Sequence, residues 1–371
     1  MSYLGEDIRK LGFGLMRLPK IGDEFDLDQI KAMVDAFLDA GFTYFDTAYA
    51  YPGSEEAIKK ALTERYPREK YQLATKLSSW AANSKEEAEA EIYESMRRAG
   101  VDYFDFYLLH SLGGDNTERC NKWDLWGYAK ELKEKGLIRH YGFSFHGTPE
   151  GLEELLTLHP DVEFVQLQIN YADWDSPTVA SRINYEICRK HGKPVIIMEP
   201  VKGGNLANPV EAVAKVFREA EPDASPASWA LRFAADLPGL VTVLSGMSTI
   251  EQMNDNLKTM KDFNGLSDNQ RETLAKAVEV LKSIPTIPCT RCDYCAGVCP
   301  MNIGISKIFA IRNNLTLYGN EEVAKRNFQY DIVKEGKGTP TDCLKCGACE
   351  AVCPQHIEIP ALLEECGTVL M

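Results

Sequence analysis

Four side chains in the first third of the chain have the makings of an acid–base site: Asp46, Tyr51, Lys76 and His110. Asp46 follows the apolar run Phe42–Phe45, and Tyr51 comes five residues later. Lys76 ends the stretch Ala74-Thr75-Lys76, and His110 ends Leu108-Leu109-His110. A free phenol has a pKa of about 10, too high to exchange protons readily at neutral pH. A neighbouring ammonium favours the phenolate, so Lys76 is expected to lower the Tyr51 value. Asp46 would pair with Lys76 and hold it, and His110 would orient the oxygen that receives the proton. This set suits proton transfer to a carbonyl oxygen, with the hydride coming from a cofactor because no side chain supplies one. Each residue also has a plainer reading: a turn-capping Asp, a Lys paired with a surface acid, a packed Tyr, a core His.

The readings part on whether one fold brings the four together. Strand-like stretches recur at Gly12–Arg17, Phe42–Thr47, Tyr71–Leu77, Phe104–His110, Arg139–Phe145, Phe164–Ile169, Val195–Glu199 and Val241–Gly246. Each is short, rich in aliphatic or aromatic residues and bounded by turn signals. Helical patterns separate them. Asp28–Ala40 carries an apolar stripe and stops at Gly41; Ser84–Ala99 opens with a possible capping box, Ser84 and Glu87, and closes before Gly100. Eight strands alternating with helices over about 260 residues predict an α/β fold, a (β/α)8 TIM barrel. A doubly wound sheet would want a glycine-rich phosphate loop after its first strand, of which Gly12–Arg17 holds only a fragment. In a barrel, Asp46, Lys76 and His110 end three consecutive strands, where active sites of this fold lie. The tryptophans Trp80, Trp123 and Trp126, in segments expected to be loops (79–83 and 112–126), would shape the mouth or pack.

The proline-marked stretch Ser283–Pro288 predicts a boundary, with a barrel over residues 1–284 and a second domain over 285–371. Nine of the eleven cysteines fall in that second part. Eight form Cys289-x2-Cys292-x2-Cys295-x3-Cys299-Pro300 and Cys343-x2-Cys346-x2-Cys349-x3-Cys353-Pro354. This spacing is that of bacterial two-cluster ferredoxins, in which the fourth cysteine serves the other cluster. The expected sets are Cys289, Cys292, Cys295 and Cys353 for one [4Fe–4S] cluster, and Cys343, Cys346, Cys349 and Cys299 for the other. Zinc, which thiolates also hold, is the plainer reading. Helical patterns at Ile305–Asn313 and Glu321–Ile332 lengthen the connection between the clusters, so the domain resembles the mainly α-helical ferredoxin-like modules fused to oxidoreductases. Cys120, Cys188 and Cys366 are expected to be plain thiols.

Residues 1 to about 265 resemble the aldo/keto reductase superfamily. The matching pieces are Phe45-Asp46-Thr47-Ala48, Tyr51, Gly53-Ser54-Glu55, Thr75-Lys76, Leu108-Leu109-His110, Tyr141-Gly142-Phe143-Ser144 and Glu251-Gln252 with Asn256-Leu257. The resemblance implies a (β/α)8 barrel, NADPH or NADH as cofactor, and a catalytic tetrad of Asp46, Tyr51, Lys76 and His110. It also implies cofactor contacts from Ser144 and Gln166 to the nicotinamide amide, Met198 against the ring, Gly203 and Gly204 near the pyrophosphate, and Gly246, Ser248, Gln252 and Asn256 around the adenosine end. Three positions depart from the family pattern. Phe145 replaces an Asn, Met198 an aromatic residue, and Gln252 a frequent Arg, which leaves the choice between NADP and NAD open.

The net charge of −14 argues against a nucleic-acid binder and against an anionic membrane surface. No apolar run approaches the roughly 20 residues that span a bilayer. Without a basic region and apolar core at the start, a cytoplasmic location is expected. The composite reading is an oxidoreductase acting on a small carbonyl/alcohol pair, with electrons carried by two [4Fe–4S] clusters, a nicotinamide, or both. An electron carrier such as a ferredoxin is a possible partner. A flavin would convert single electrons to hydride, but the sequence carries no flavin signature. Two alternatives stand beside this: an ordinary NAD(P)H-dependent carbonyl reductase with structural or redox-sensing clusters, and an electron-transfer protein with a non-catalytic barrel.

Overall fold

Eight parallel strands close into a ring in sequence order in the computed structural model, which describes residues 3–371. They are Gly12–Gly14, Tyr44–Asp46, Gln72–Leu77, Phe104–Leu112, Ile138–Phe145, Phe164–Gln168, Val195–Met198 and Leu240–Ser245. The first pairs with both its sequence neighbour and the last, through Gly12↔Tyr44 and Gly12↔Leu244. Closure excludes the doubly wound alternative. Each strand falls on an expected stretch; the first is shorter than expected because Leu15–Arg17 turns into a 3-10 helix. Gly142 is obligatory at one seam, since a Cβ there would sit 2.3 Å from the Phe164 carbonyl oxygen.

Side chains alternate across a strand, and that alternation aims the site. Tyr44, Ala74, Phe106, Leu108, Phe164, Ile196, Val241 and Leu244 form one buried cluster, filling the barrel interior as this fold requires. Asp46 shares a face with Tyr44, Lys76 with Ala74, and His110 with Leu108. Their outward neighbours Phe45, Leu77 and Leu109 join the core between strands and helices.

The helices that cover the strands follow local rules. Leu27–Asp39 starts at Asp26, whose carboxylate accepts from Gln29 N, and buries Ile30, Met33, Val34 and Phe37. Ser84 caps Lys85–Ala99 by accepting from Glu87 N, while Glu87 reaches back to Asn83 N rather than to Ser84, so the expected reciprocal box is only half formed. Gly100 ends that helix at φ 67°, a conformation glycine adopts without strain.

Several elements escape the sequence pattern, among them a hairpin of Lys20–Ile21 and Glu24–Phe25, a helix, Asp115–Lys122, where a loop was expected, and the helix Ile359–Leu370. Among the described residues, no helix is long and apolar enough to cross a membrane.

By packing, the chain forms two compact units: Met1–Gly203 with Ala227–Asp268, and Gly204–Pro226 with Asn269–Met371. The second has its own core, built on Ile305, Ile308, Phe309, Phe328, Ile332, Ile359 and Leu363. Its helices include Glu211–Ala220, nearly all of Asp268–Ser283, Ile305–Tyr318, Glu321–Phe328 and Ile359–Leu370; Ile305–Tyr318 runs past the expected end to a glycine cap at Gly319.

Candidate active site and cysteine cavities

Lys76 Nζ is wholly buried and donates to Asp46 Oδ1 at 2.5 Å and to the Thr47 carbonyl at 2.7 Å. It lies 5.0 Å from the centre of the Tyr51 ring. The Tyr51 and His110 rings meet edge to face at 5.8 Å, and Trp80 tilts over His110 at 4.8 Å. The structure thus brings Asp46, Tyr51, Lys76 and His110 together. Local bonds fasten the loop that carries Tyr51. The Ser54 hydroxyl sits 2.8 Å from that of Thr47 and donates to the Leu15 carbonyl, while Glu55 accepts from Thr75 Oγ1. Gly53 supplies the left-handed turn between, at φ 73°.

Burial sets the electrostatics of this group. It acts to lower the Lys76 value, but the Asp46 charge, with hydrogen bonding to Asp46 and Tyr51, more than offsets it and holds the ammonium above its ordinary range. Burial pushes the Tyr51 phenol up while the Lys76 charge pulls it down, and burial prevails. The expected net lowering of Tyr51 is therefore corrected: desolvation of the phenolate outweighs the ammonium. Burial and the Lys76 charge keep His110 well below its usual range, so its imidazole is neutral.

A model of the aldo/keto reductase family matches residues 10–279, and one of a 4Fe-4S dicluster domain matches residues 288–358. The chain belongs to the aldo/keto reductase family. It is an oxidoreductase of that family carrying a 4Fe–4S dicluster domain. An aldo-keto reductase of Mycolicibacterium vanbaalenii is 30% identical over 257 residues, covering 67% of this chain and 83% of that protein. One from Mycolicibacterium smegmatis is 34% identical over 145 residues, 38% of this chain and only 49% of its own length. Among solved structures, the holo form of an aldo-keto reductase from Bacillus halodurans superposes with a TM-score of 0.58 at 26% identity, over 74% of this chain and 95% of that one. A Klebsiella pneumoniae aldo/keto reductase in complex with NADP and acetate shares the fold at 22% identity, over 74% of this chain and 93% of that one, TM-score 0.58.

In this aldo/keto reductase barrel the proposed nicotinamide positions lie on neighbouring strands. Ser144 and Gln166 are register partners, both buried. Gln166 Nε2 meets the Met198 sulfur at 3.4 Å, and its Oε1 is buried without a partner among the described residues. Ser144 Oγ accepts from Ser111 N. An unpaired carboxamide oxygen beside a hydroxyl fits a ligand amide, which needs an acceptor and a donor. After Met198 the backbone turns left-handed at Glu199, Lys202, Gly203 and Gly204. At the positions expected around an adenosine, the side chains of Ser248, Gln252 and Asn256 have protein partners. Ser248 donates its N–H to Gln252 Oε1 and its hydroxyl to the Arg17 carbonyl, and Asn256 donates to Ser245 Oγ. Gln252 and Thr249 thereby cap the helix Ile250–Met260. A Cβ on Gly246 would have the Gly14 carbonyl oxygen 3.9 Å away.

The cysteines ring two cavities in the second unit. Cys289, Cys292, Cys295 and Cys353 line one; Cys299, Cys343, Cys346 and Cys349 line the other. Each ring therefore takes three cysteines from one motif and the last cysteine of the other, a donor set that suits an iron–sulfur cube. Cys120, Cys188 and Cys366 are buried and lie outside both rings.

Sequence reasoning passed over Ser78, which contacts His110, and Glu91, which contacts Ser78. Glu91 falls on the buried stripe Ala88, Ile92, Ser95 and Ala99 of its helix. A carboxylate in an otherwise small and apolar stripe was the available signal. Of the three tryptophans, Trp126 packs against Phe143 and stacks on His159, Trp123 leans on the core, and Trp80 stays exposed beside His110.

Proposed function

We propose that the barrel, residues 1–284, interconverts a small carbonyl compound and its alcohol with the aid of a nicotinamide, and that residues 285–371 carry two [4Fe–4S] clusters that exchange electrons with that reaction. The observation that carries the reading is the buried Lys76 ammonium, fixed between Asp46 and the Thr47 carbonyl beneath the Tyr51 ring. When bound, nicotinamide supplies or accepts hydride and the clusters pass single electrons. Tyr51, kept protonated by its burial, donates its phenolic proton to the carbonyl oxygen in reduction. Lys76 stabilises the phenolate that results, and Asp46 holds Lys76 in place. Neutral His110 orients the oxygen. Ser144 and Gln166 would hold the carboxamide of the nicotinamide. The eight ring cysteines would hold the clusters in the two sets that line the cavities, and a ferredoxin-like carrier would deliver or remove electrons. The reading sets the protein in a reducing cytoplasm, where cysteines outside disulfides persist.

The test is an anaerobic titration of the holo protein with NADH and NADPH, followed by an aldehyde and ketone panel, in wild type and Tyr51→Phe. Bleaching of the cluster absorbance by nicotinamide, and turnover that falls at least about a hundredfold in the variant, are expected. Turnover without bleaching would reduce the module to a structural or sensing role. Undiminished turnover in Tyr51→Phe would defeat the assignment of the proton donor. Absence of any turnover would leave a non-catalytic barrel attached to an electron carrier.

A further inference from the structure

Behind the His110 ring lies a contact that the tetrad does not use. His110 Nδ1 is 3.0 Å from Ser78 Oγ, and Ser78 is fully buried. Among the described residues this nitrogen is the hydroxyl's one hydrogen-bond partner. A neutral imidazole carries its proton on one of two nitrogens, and a hydroxyl has one proton to give. Were Nδ1 the donor, the Ser78 proton would be buried with nothing to accept it, an arrangement native interiors avoid. With Ser78 as donor to Nδ1, the hydroxyl proton and the Nδ1 lone pair satisfy each other, and the imidazole proton sits on Nε2.

Ser78 is itself held from outside the barrel. It follows the end of the strand Gln72–Leu77, where its N–H needs a partner. Glu91, on the helix Lys85–Ala99 and only 3% exposed, provides it: Glu91 Oε2 accepts from Ser78 N at 2.7 Å. The second carboxyl oxygen has no partner among the described residues. The contacts run from His110 through Ser78 to Glu91.

We infer that Ser78 and Glu91 are positioning residues: Glu91 fixes the Ser78 backbone, and the Ser78 hydroxyl fixes His110 as its Nε2–H tautomer, ready to donate to a carbonyl oxygen. The inference rests on the reaction proposed above for its purpose, but its first test needs no turnover.

The test is 15N spectroscopy of holo protein labelled at histidine, with the His110 signals assigned by their loss in His110→Gln. In wild type at neutral pH the Nε2-protonated form is expected. Ser78→Ala should shift the population toward the Nδ1-protonated form. Glu91→Gln keeps an acceptor for Ser78 N and should preserve the wild-type tautomer, whereas Glu91→Leu should not. An Nδ1-protonated His110 in wild type, or a tautomer unmoved in Ser78→Ala, overturns the inference. Ser78→Ala remains decisive if Glu91→Leu fails to fold. In steady state, Ser78→Ala is expected to lower kcat at least about tenfold with nicotinamide affinity unchanged. An equal loss in kcat and in nicotinamide affinity would point to general disruption instead and count against it. Should the protein turn over no carbonyl at all, the proposed reaction falls while the tautomer measurement still decides the role of Ser78.

Discussion

Lys76 Nζ and Asp46 Oδ1 lie 2.5 Å apart with both side chains almost wholly removed from solvent. Desolvating two charges is costly, and removing one partner strands the other, an effect worth about 3–5 kcal/mol. Asp46→Asn should therefore destabilise the barrel by an amount of that order and leave Lys76 without its main electrostatic support. Chemical denaturation of the variant beside wild type measures the first; loss of turnover measures the second. A variant as stable as wild type would show that the pair is not charged in the folded protein.

The unpaired Gln166 oxygen makes a prediction about binding alone. Gln166→Leu removes an acceptor that no group among the described residues uses, so stability should change little. The affinity for NADH or NADPH should fall about tenfold, the worth of one hydrogen bond. Isothermal titration of both nucleotides reads the change. An unaltered affinity would place the nicotinamide elsewhere.

The two cysteine rings predict which variants share a phenotype. Cys353→Ser should damage the same cluster as Cys289→Ser, although those residues stand far apart in sequence. Cys299→Ser should instead resemble Cys343→Ser. Electron paramagnetic resonance of the reduced proteins distinguishes the two signals. If Cys353→Ser instead resembled Cys349→Ser, each motif would be holding its own cluster.

Glu91 should leave a mark on stability as pH changes. Burial raises its carboxyl from 4.5 to about 7. Because the folded value lies above the unfolded one, the folded state holds this proton more tightly. The stabilisation is full below about pH 4.5 and is lost as pH rises toward 7. The total is on the order of 3 kcal/mol. Glu91→Gln removes the titration, so its stability relative to wild type should grow between about pH 5 and 7 and then level off. Melting curves of both proteins across that range provide the comparison, and a pH-independent difference would mean that Glu91 is ionised throughout.

Much of the barrel was legible because its strands are compact apolar runs between turn signals, and because strand parity puts Asp46, Lys76 and His110 on one face. The misses have physical causes. The hairpin strands Lys20–Ile21 and Glu24–Phe25 are only two residues each, too short to show a period. The helix Asp115–Lys122 reads as a loop because its sequence, Asp-Asn-Thr-Glu-Arg-Cys-Asn-Lys, offers no apolar stripe and buries only Cys120. The direction of the Tyr51 shift depends on how deeply the phenol is buried against one ammonium, which spacing along a chain does not encode. Ser78 and Glu91 are brought together by the crossing of a helix over a strand end, a relationship between distant stretches that no local pattern carries.

The exchange of cysteines between the two motifs also bears on how the module acquires its iron. Neither motif can complete a ring by itself, since Cys353 closes the first and Cys299 the second. Filling either ring draws the ends of the long intervening segment together, and the entropy of closing that loop is spent once. The second cluster then enters a chain already gathered, so loading should be cooperative. Native mass spectrometry at limiting iron should show chains with none or with about eight iron atoms and few with about four. A dominant half-loaded species would mean that the rings fill independently. On this view scarcity divides the molecules into complete and empty copies instead of impairing all of them equally.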